Sequence, residues 1–255
     1  MGTITKILLF TLTALLVLAG CTKGPSPNLC PTVCDGLVAY FPFYGDATDK
    51  SGNGHDGKVL GSTLTKNRNG YRNHAYHFDG KDDYIEIGGL DQSLINKNGF
   101  TYFAIVKISA IDQERIRKLS DDDHPYQGPI IFDSKRQSEL QFSFERNKNY
   151  IYLWVGESVP SNKINPLIYN TIVGTYDNKN HRTILYINGE KKREKILKPS
   201  LSVPSKYFFG INNPSRKDSP KLHGVIDEIR IYNRALSAEE VKELYLFTSA
   251  FPPAE

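Results

Sequence analysis

Tyr150, Tyr152 and Trp154 alternate with Ile151, Leu153 and Val155. A period of two puts the three rings on one face of a strand and the three aliphatic side chains on the other. The aliphatic set has the character of a core between two sheets, so the rings are expected to face away from it. Aromatic rings in that position can stack on the apolar C–H face of a sugar while their polar tips meet its hydroxyls. Proteins also cover such stripes with their own loops, so sugar contact and packing both stand as readings.

Other residue sets suggest chemistry and fail on spacing. Retaining glycoside hydrolysis needs two carboxyls about 5 Å apart. The carboxylates here sit mainly in turns or as adjacent pairs, Asp82-Asp83 and Asp227-Glu228. Neighbours on a regular strand point to opposite faces, which argues against a catalytic pair. His74 and His77 face opposite ways for the same reason and the other four histidines are scattered, so catalytic zinc is not expected. Gly52-Asn53-Gly54-His55-Asp56-Gly57 has the spacing of a dinucleotide fingerprint, but no amphipathic helix follows and the segment reads as a turn. Gly156-Glu157-Ser158-Val159-Pro160 opens like a nucleophile elbow and ends on Pro where Gly is needed, so it reads as a loop. Asp121-Asp122-Asp123-His124 reads as part of a solvated loop.

The three cysteines divide into two groups. Lys6 precedes the apolar run from Ile7 to Val17, too short and too Thr-broken to span ~30 Å of hydrocarbon, and Leu18-Ala19-Gly20-Cys21 follows it. That tetrapeptide resembles a bacterial lipobox, in which the Cys becomes a lipidated N-terminus. Cys21 is therefore expected to be a membrane anchor, and residues 1–20 a lipoprotein signal peptide. Residues 21–35 are Pro- and Gly-rich and read as a tether. Cys30 and Cys34 could close a small disulfide loop at its end, or remain two free thiols.

The elements that must position these residues read as strands. Leu37–Phe43, Tyr76–Phe78, Tyr84–Ile87, Phe100–Ile108, Pro129–Phe132, Leu140–Phe144, Tyr150–Val155, Thr171–Tyr176, Thr183–Ile187, Tyr207–Ile211 and Val225–Tyr232 are short β-like runs separated by Gly, Asn, Asp and Pro. Asn188-Gly189 marks a two-residue hairpin, because a type I′ turn needs positive φ at both centres. Lys191-Lys192-Arg193 beyond it reads as a charged edge strand. One helix is expected, opened by the capping box Ser237-Ala238-Glu239-Glu240 and carrying Val241, Leu244 and Tyr245 at helical spacing. Phe103 and Ile105, opposite in parity to Phe100, Tyr102, Ala104 and Val106, mark a second partly apolar outer face. The fold class is thus all-β, a two-sheet antiparallel β-sandwich with one short C-terminal helix.

Length and charge agree with that reading. A chain of 255 residues can bury a large single core, roughly 70% of its unfolded surface. Its 32 Lys and Arg against 28 Asp and Glu are interspersed, giving a net +4 and no concentrated basic field, so nucleic acid is not expected as a partner.

The order of motifs identifies a family. Gly36-Leu37-Val38-Ala39-Tyr40-Phe41-Pro42-Phe43, Asp46-Ala47-Thr48-Asp49-Lys50-Ser51-Gly52-Asn53-Gly54, His77-Phe78-Asp79-Gly80 and the ending Gly224-Val225-Ile226-Asp227-Glu228-Ile229-Arg230-Ile231-Tyr232 resemble a laminin-G-like domain of the concanavalin A-like superfamily. The resemblance covers residues 36–247, leaves 248–255 as a tail, and implies a jelly roll of two curved sheets. It also implies a structural calcium ion, for which Asp46, Asp49, Asn53 and Asp227 offer oxygen ligands; the same residue types also serve as plain Asx-turns. Superfamily members include lectins, adhesion modules and glucanases, so function must come from the site. The expected function is an envelope-anchored lipoprotein, with outer membrane favoured, whose non-catalytic domain binds glycan through Tyr150, Tyr152 and Trp154. Protein adhesion or envelope assembly is the first alternative and a divergent glycoside hydrolase the second.

Overall fold

A computed structural model describes residues 32–88, 90, 98–109, 126–133, 138–145, 148–161, 164–199, 206–217 and 219–250. Residues 1–20, expected to be a signal peptide, Cys21, Cys30 and Asp121–His124 lie outside the described residues. No helix among the described residues is long and apolar enough to cross a membrane.

Two antiparallel sheets stack face to face. The first runs β13 (Glu190–Ile196), β12 (Arg182–Ile187), β11 (Asn170–Asp177), β6 (Phe100–Ile108), β15 (His223–Tyr232), β4 (Ala75–Asp79) and β3 (Thr63–Thr65), with β1 (Leu37–Phe41) also paired to β15. The second runs β10 (Glu157–Pro160), β9 (Lys148–Val155), β8 (Ser138–Glu145), β7 (Tyr126–Asp133), β14 (Lys206–Phe209), β5 (Tyr84–Gly88) and β2 (Lys58–Leu60). Every expected strand is present, and the expected first strand stops at Phe41 rather than Phe43. Pro42 has no N–H to give a ladder, and Phe43 turns the chain with φ 54°.

The core between the sheets follows the alternation. Phe100, Tyr102, Ala104 and Val106 of β6 meet Ile151, Leu153 and Val155 of β9, together with Ile229 and Ile231 of β15, all buried. The other parity of the first sheet builds a second core. Phe103, Ile105, Val173, Tyr186 and Tyr232 lie under Leu236, Val241 and Leu244, the last two from helix α1 (Ala238–Ser249). The outer apolar face seen in the sequence is therefore covered by the protein's own helix. Ser237 and Glu240 close the capping box that starts this helix. Asn188 and Gly189 both take positive φ, 53° and 76°, as their hairpin requires. β13 after them is the charged edge of the first sheet.

Candidate functional site

The outer face of the second sheet carries Tyr152 and Trp154. Ile151, Leu153 and Val155 are fully buried toward the first sheet, whereas Tyr152 and Trp154 are half-buried on the opposite face. Tyr150 continues the register of β9 opposite Ser143. Trp154 pairs with Ser158 of β10 on one side and Glu139 of β8 on the other. The row continues in register through Phe132 of β7 to Phe208 of β14 and Glu86 of β5. Three strand spacings separate Trp154 from Phe208, a span of ~14 Å. At its far end Phe208 packs edge-on against Tyr84, and Glu86 holds Lys206 at 2.6 Å.

A deeper site lies on the outer side of the first sheet. β4 pairs with β15 through Ile226, and β1 pairs with the same edge of β15 from Ile229 onward. Asp227 and Glu228 occupy the gap, where the register of β15 against β6 shifts between Ile226 and Glu228. This bulge overturns the expectation that the two neighbours face opposite ways, because an extra residue re-aims a side chain. Both carboxylates line one pocket of about 170 Å³, with Arg68, Tyr44, Tyr71 and His74.

Local turn chemistry brings the pocket walls together. Asn67 Oδ1 accepts hydrogen bonds from the backbone N–H groups of Asn69 and Tyr71, each at 3.0 Å, and so shapes the loop carrying Arg68 and Tyr71. Gly45 N donates to the Asn73 carbonyl at 2.8 Å, tying the turn of Tyr44 to the loop of His74. The His74 ring stands 4.9 Å from the Tyr44 ring and 5.8 Å from that of Tyr71. Its Nδ1 lies 2.6 Å from the Arg72 carbonyl oxygen, which assigns a proton to that nitrogen.

The pocket floor is a chain of charges. Arg68 Nη1 lies 2.7 Å from Asp227 Oδ2, and the Arg68 backbone N–H donates to the same oxygen at 3.0 Å. Glu228 Oε2 is 3.8 Å from Arg68, while its Oε1 accepts from Arg230 Nε at 2.7 Å. Arg230 is wholly buried with its guanidinium 4.4 Å from the Tyr40 ring centre. Burial pushes the Asp227 carboxyl up against the pull of Arg68. Each carboxylate is thus tied to an arginine.

The residues expected to hold calcium are engaged by partners within the protein. Asp49 is buried and its carboxylate accepts from the backbone N–H groups of Tyr40, Ser51 and His55 and from the Ser51 hydroxyl, all at 2.9 to 3.0 Å. Four donors leave that carboxylate no room for a cation; it organises the turn instead. Asn53 donates to the Val38 carbonyl at 2.8 Å, Asp46 caps Thr48 N at 2.9 Å, and Asp227 Oδ2 is taken by Arg68. Among the described residues, Asp79, Asp82 and Asp83 are the group whose carboxylates gather within 4.8 Å and could hold a metal ion. Burial, then the charges of Asp79 and Asp82, push the Asp83 carboxyl up, although the Asp79 N–H bond opposes them. Cys34 is disulfide-bonded, and both other cysteines lie outside the described residues.

The family model described as the concanavalin A-like lectin/glucanases superfamily matches residues 79–242. The chain belongs to this superfamily. Among solved structures of this concanavalin A-like fold, domain 4 of AbnA, a GH43 extracellular arabinanase from Geobacillus stearothermophilus in complex with arabinotriose, is 21% identical. The similarity covers 82% of this chain and 98% of that one, with a TM-score of 0.60. The botulinum neurotoxin serotype D binding domain is 18% identical over 86% of this chain and 53% of its own, with a TM-score of 0.64. The binding domain of Paraclostridial Mosquitocidal Protein 1 is also 18% identical, over 85% and 53%, with a TM-score of 0.63. The chain spans about half the length of these toxin binding domains. No curated protein sequence matches it.

Proposed function

We propose that this chain is a non-catalytic glycan-binding module, held on a bacterial envelope by lipid on Cys21, with the outer membrane as its site. The observation that carries the binding reading is the pair Tyr152 and Trp154, half-exposed above a fully buried Ile151-Leu153-Val155 stripe. Rings on a rigid strand stack on sugar at little entropic cost. The arabinotriose complex of the arabinanase domain supports a saccharide as ligand, and arabinan is the first probe. Cys30 is the partner we assign to Cys34, closing a small loop between tether and sandwich.

Trp154→Ala is expected to weaken retention on arabinan, or on whichever polysaccharide of a glycan array binds, by at least tenfold in an affinity gel. Its melting temperature should stay within a few degrees of the parent, since the ring is no part of either core. Retention unchanged by Trp154→Ala, or measurable turnover of the bound saccharide, would refute this reading. A protein receptor is the second reading, supported by the likeness to toxin binding domains. It predicts no retention on any saccharide.

The metal reading moves to Asp79, Asp82 and Asp83. Burial, with repulsion from Asp79 and Asp82 added to it, raises Asp83, so the folded state gains protons relative to the unfolded chain and loses stability as pH rises through that group's titration. A calcium ion would relieve the repulsion at neutral pH. Millimolar calcium is therefore expected to raise the melting temperature, chelator to reverse it, and Asp82→Asn to abolish the response; identical melts with and without calcium remove the ion.

A further inference from the structure

The pocket between Tyr44, Tyr71 and the Asp227–Glu228 bulge is separate from the aromatic row, since the two lie on the outer faces of opposite sheets. We propose that this pocket is a second recognition site, which takes one neutral sugar residue presenting adjacent hydroxyl groups. It rests on the glycan reading for its ligand class, but on different residues for its binding.

Charge comes first. Arg68 and Arg230 stand against Asp227 and Glu228, two positive and two negative groups linked in one chain of ion pairs. A charged ligand entering this partly buried floor would bring an uncompensated charge, whereas a neutral one leaves the balance intact.

Hydrogen-bond capacity comes next. Asp227 Oδ2 accepts from the Arg68 backbone and guanidinium, and Glu228 Oε1 from Arg230. Asp227 Oδ1 and Glu228 Oε2 accept no hydrogen bond from the described residues. They belong to neighbouring residues that both line one cavity at the bulge and are held in place by arginines. Two adjacent hydroxyls are the donor pair that matches them, through charge-assisted O–H···O⁻ bonds. His74, with its proton assigned to Nδ1, offers Nε2 as a further acceptor.

Shape and wall chemistry agree. A pocket of about 170 Å³ is on the scale of a single small ring with its hydroxyls rather than of a large ligand. Tyr44 and Tyr71 remain 52% and 37% exposed at the mouth, where a ring face can meet the C–H face of a sugar. Arg68 is fastened from behind, its Nε and Nη2 donating to the Thr248 carbonyl at 3.1 and 3.0 Å. The C-terminal turn of α1 thus fixes the floor before any ligand arrives, which lowers the ordering cost of binding.

The test is saturation-transfer NMR on the full-length protein with arabinose, xylose, glucose, galactose and mannose, one at a time, and with tetramethylammonium as the cationic control. At least one neutral sugar should bind in the millimolar range. The Tyr44→Ala/Tyr71→Ala variant should weaken it at least tenfold, measured in the Trp154→Ala background so that the aromatic row does not contribute. Tyr44→Leu, which keeps apolar bulk and removes the ring, gives the same readout if the double variant does not fold. Binding of no neutral sugar, binding of tetramethylammonium alone, or binding untouched by the tyrosine substitutions overturns the proposal. Loss of polysaccharide retention is read separately through Trp154. A monosaccharide that binds while Trp154→Ala has no effect on retention refutes the aromatic row and leaves the pocket standing.

Discussion

Arg230→Ala is expected to lower the unfolding free energy by about 3 to 5 kcal/mol, measured by urea denaturation. The Arg230 side chain is 0% exposed, donates from Nε to Glu228 at 2.7 Å and from Nη1 to the Thr32 carbonyl at 3.2 Å. It is packed between the rings of Tyr40, at 4.4 Å, and Phe103, at 5.7 Å. Removing it takes the nearest cation from the Glu228 carboxylate, which is itself buried, and leaves a void between the rings of Tyr40 and Phe103. The cost comes from the charge left behind rather than from the worth of the pair itself. The double variant Arg230→Met/Glu228→Leu should therefore recover more than half of the loss, because it removes both charges and keeps the volume. A single variant that loses less than about 1 kcal/mol would show that water reaches Glu228 and that the network is not truly buried.

Leu153→Ala should cost about 2 to 5 kcal/mol, although the neighbouring Trp154→Ala leaves stability nearly unchanged. Leu153 is fully buried and reaches across to the first sheet, where Gly174 of β11 leaves space for it. A Cβ at Gly174 would stand 2.6 Å from Leu153 Cδ1, so Gly174→Ala alone is destabilising by overpacking. In the Leu153→Ala background that methyl group occupies part of the vacated space. The two substitutions are expected to be non-additive, the double variant being more stable than the sum of the single losses by about 1 kcal/mol or more. Additive losses in denaturant melts would mean that the sheets close over the cavity instead.

Much of the architecture is local chemistry and was readable as such. The Asn188-Gly189 hairpin needs only two residues that tolerate positive φ, and the start of α1 needs only Ser237 and Glu240 at the right offset. The alternation in β9 assigns Leu153 and Trp154 to opposite faces without reference to any partner strand. The motifs at the two ends of the domain also identified its family, which matches residues 79–242. Residue type alone leaves the role of Asp49 open. An Asp in a polar turn looks the same whether cations or N–H groups surround it, and here three backbone donors and a hydroxyl do.

The pocket was out of reach for a different reason. Arg68 and Asp227 are 159 positions apart, and Arg68 and Thr248 are 180 apart. No spacing rule links them. One local signal existed, in that Asn67-Arg68-Asn69-Gly70 is turn-rich, but it says nothing of what the turn faces. The decisive event is the bulge in β15, where the end of one neighbouring strand and the start of another share an edge and the register slips between Ile226 and Glu228. Period-two reasoning sends adjacent carboxylates to opposite faces, and only pairing with strands brought from far along the chain can reverse that. Side-chain periodicity is a property of the backbone of one segment. The meeting of Tyr44, Arg68, His74 and Asp227 in one cavity belongs to the way the sheets assemble.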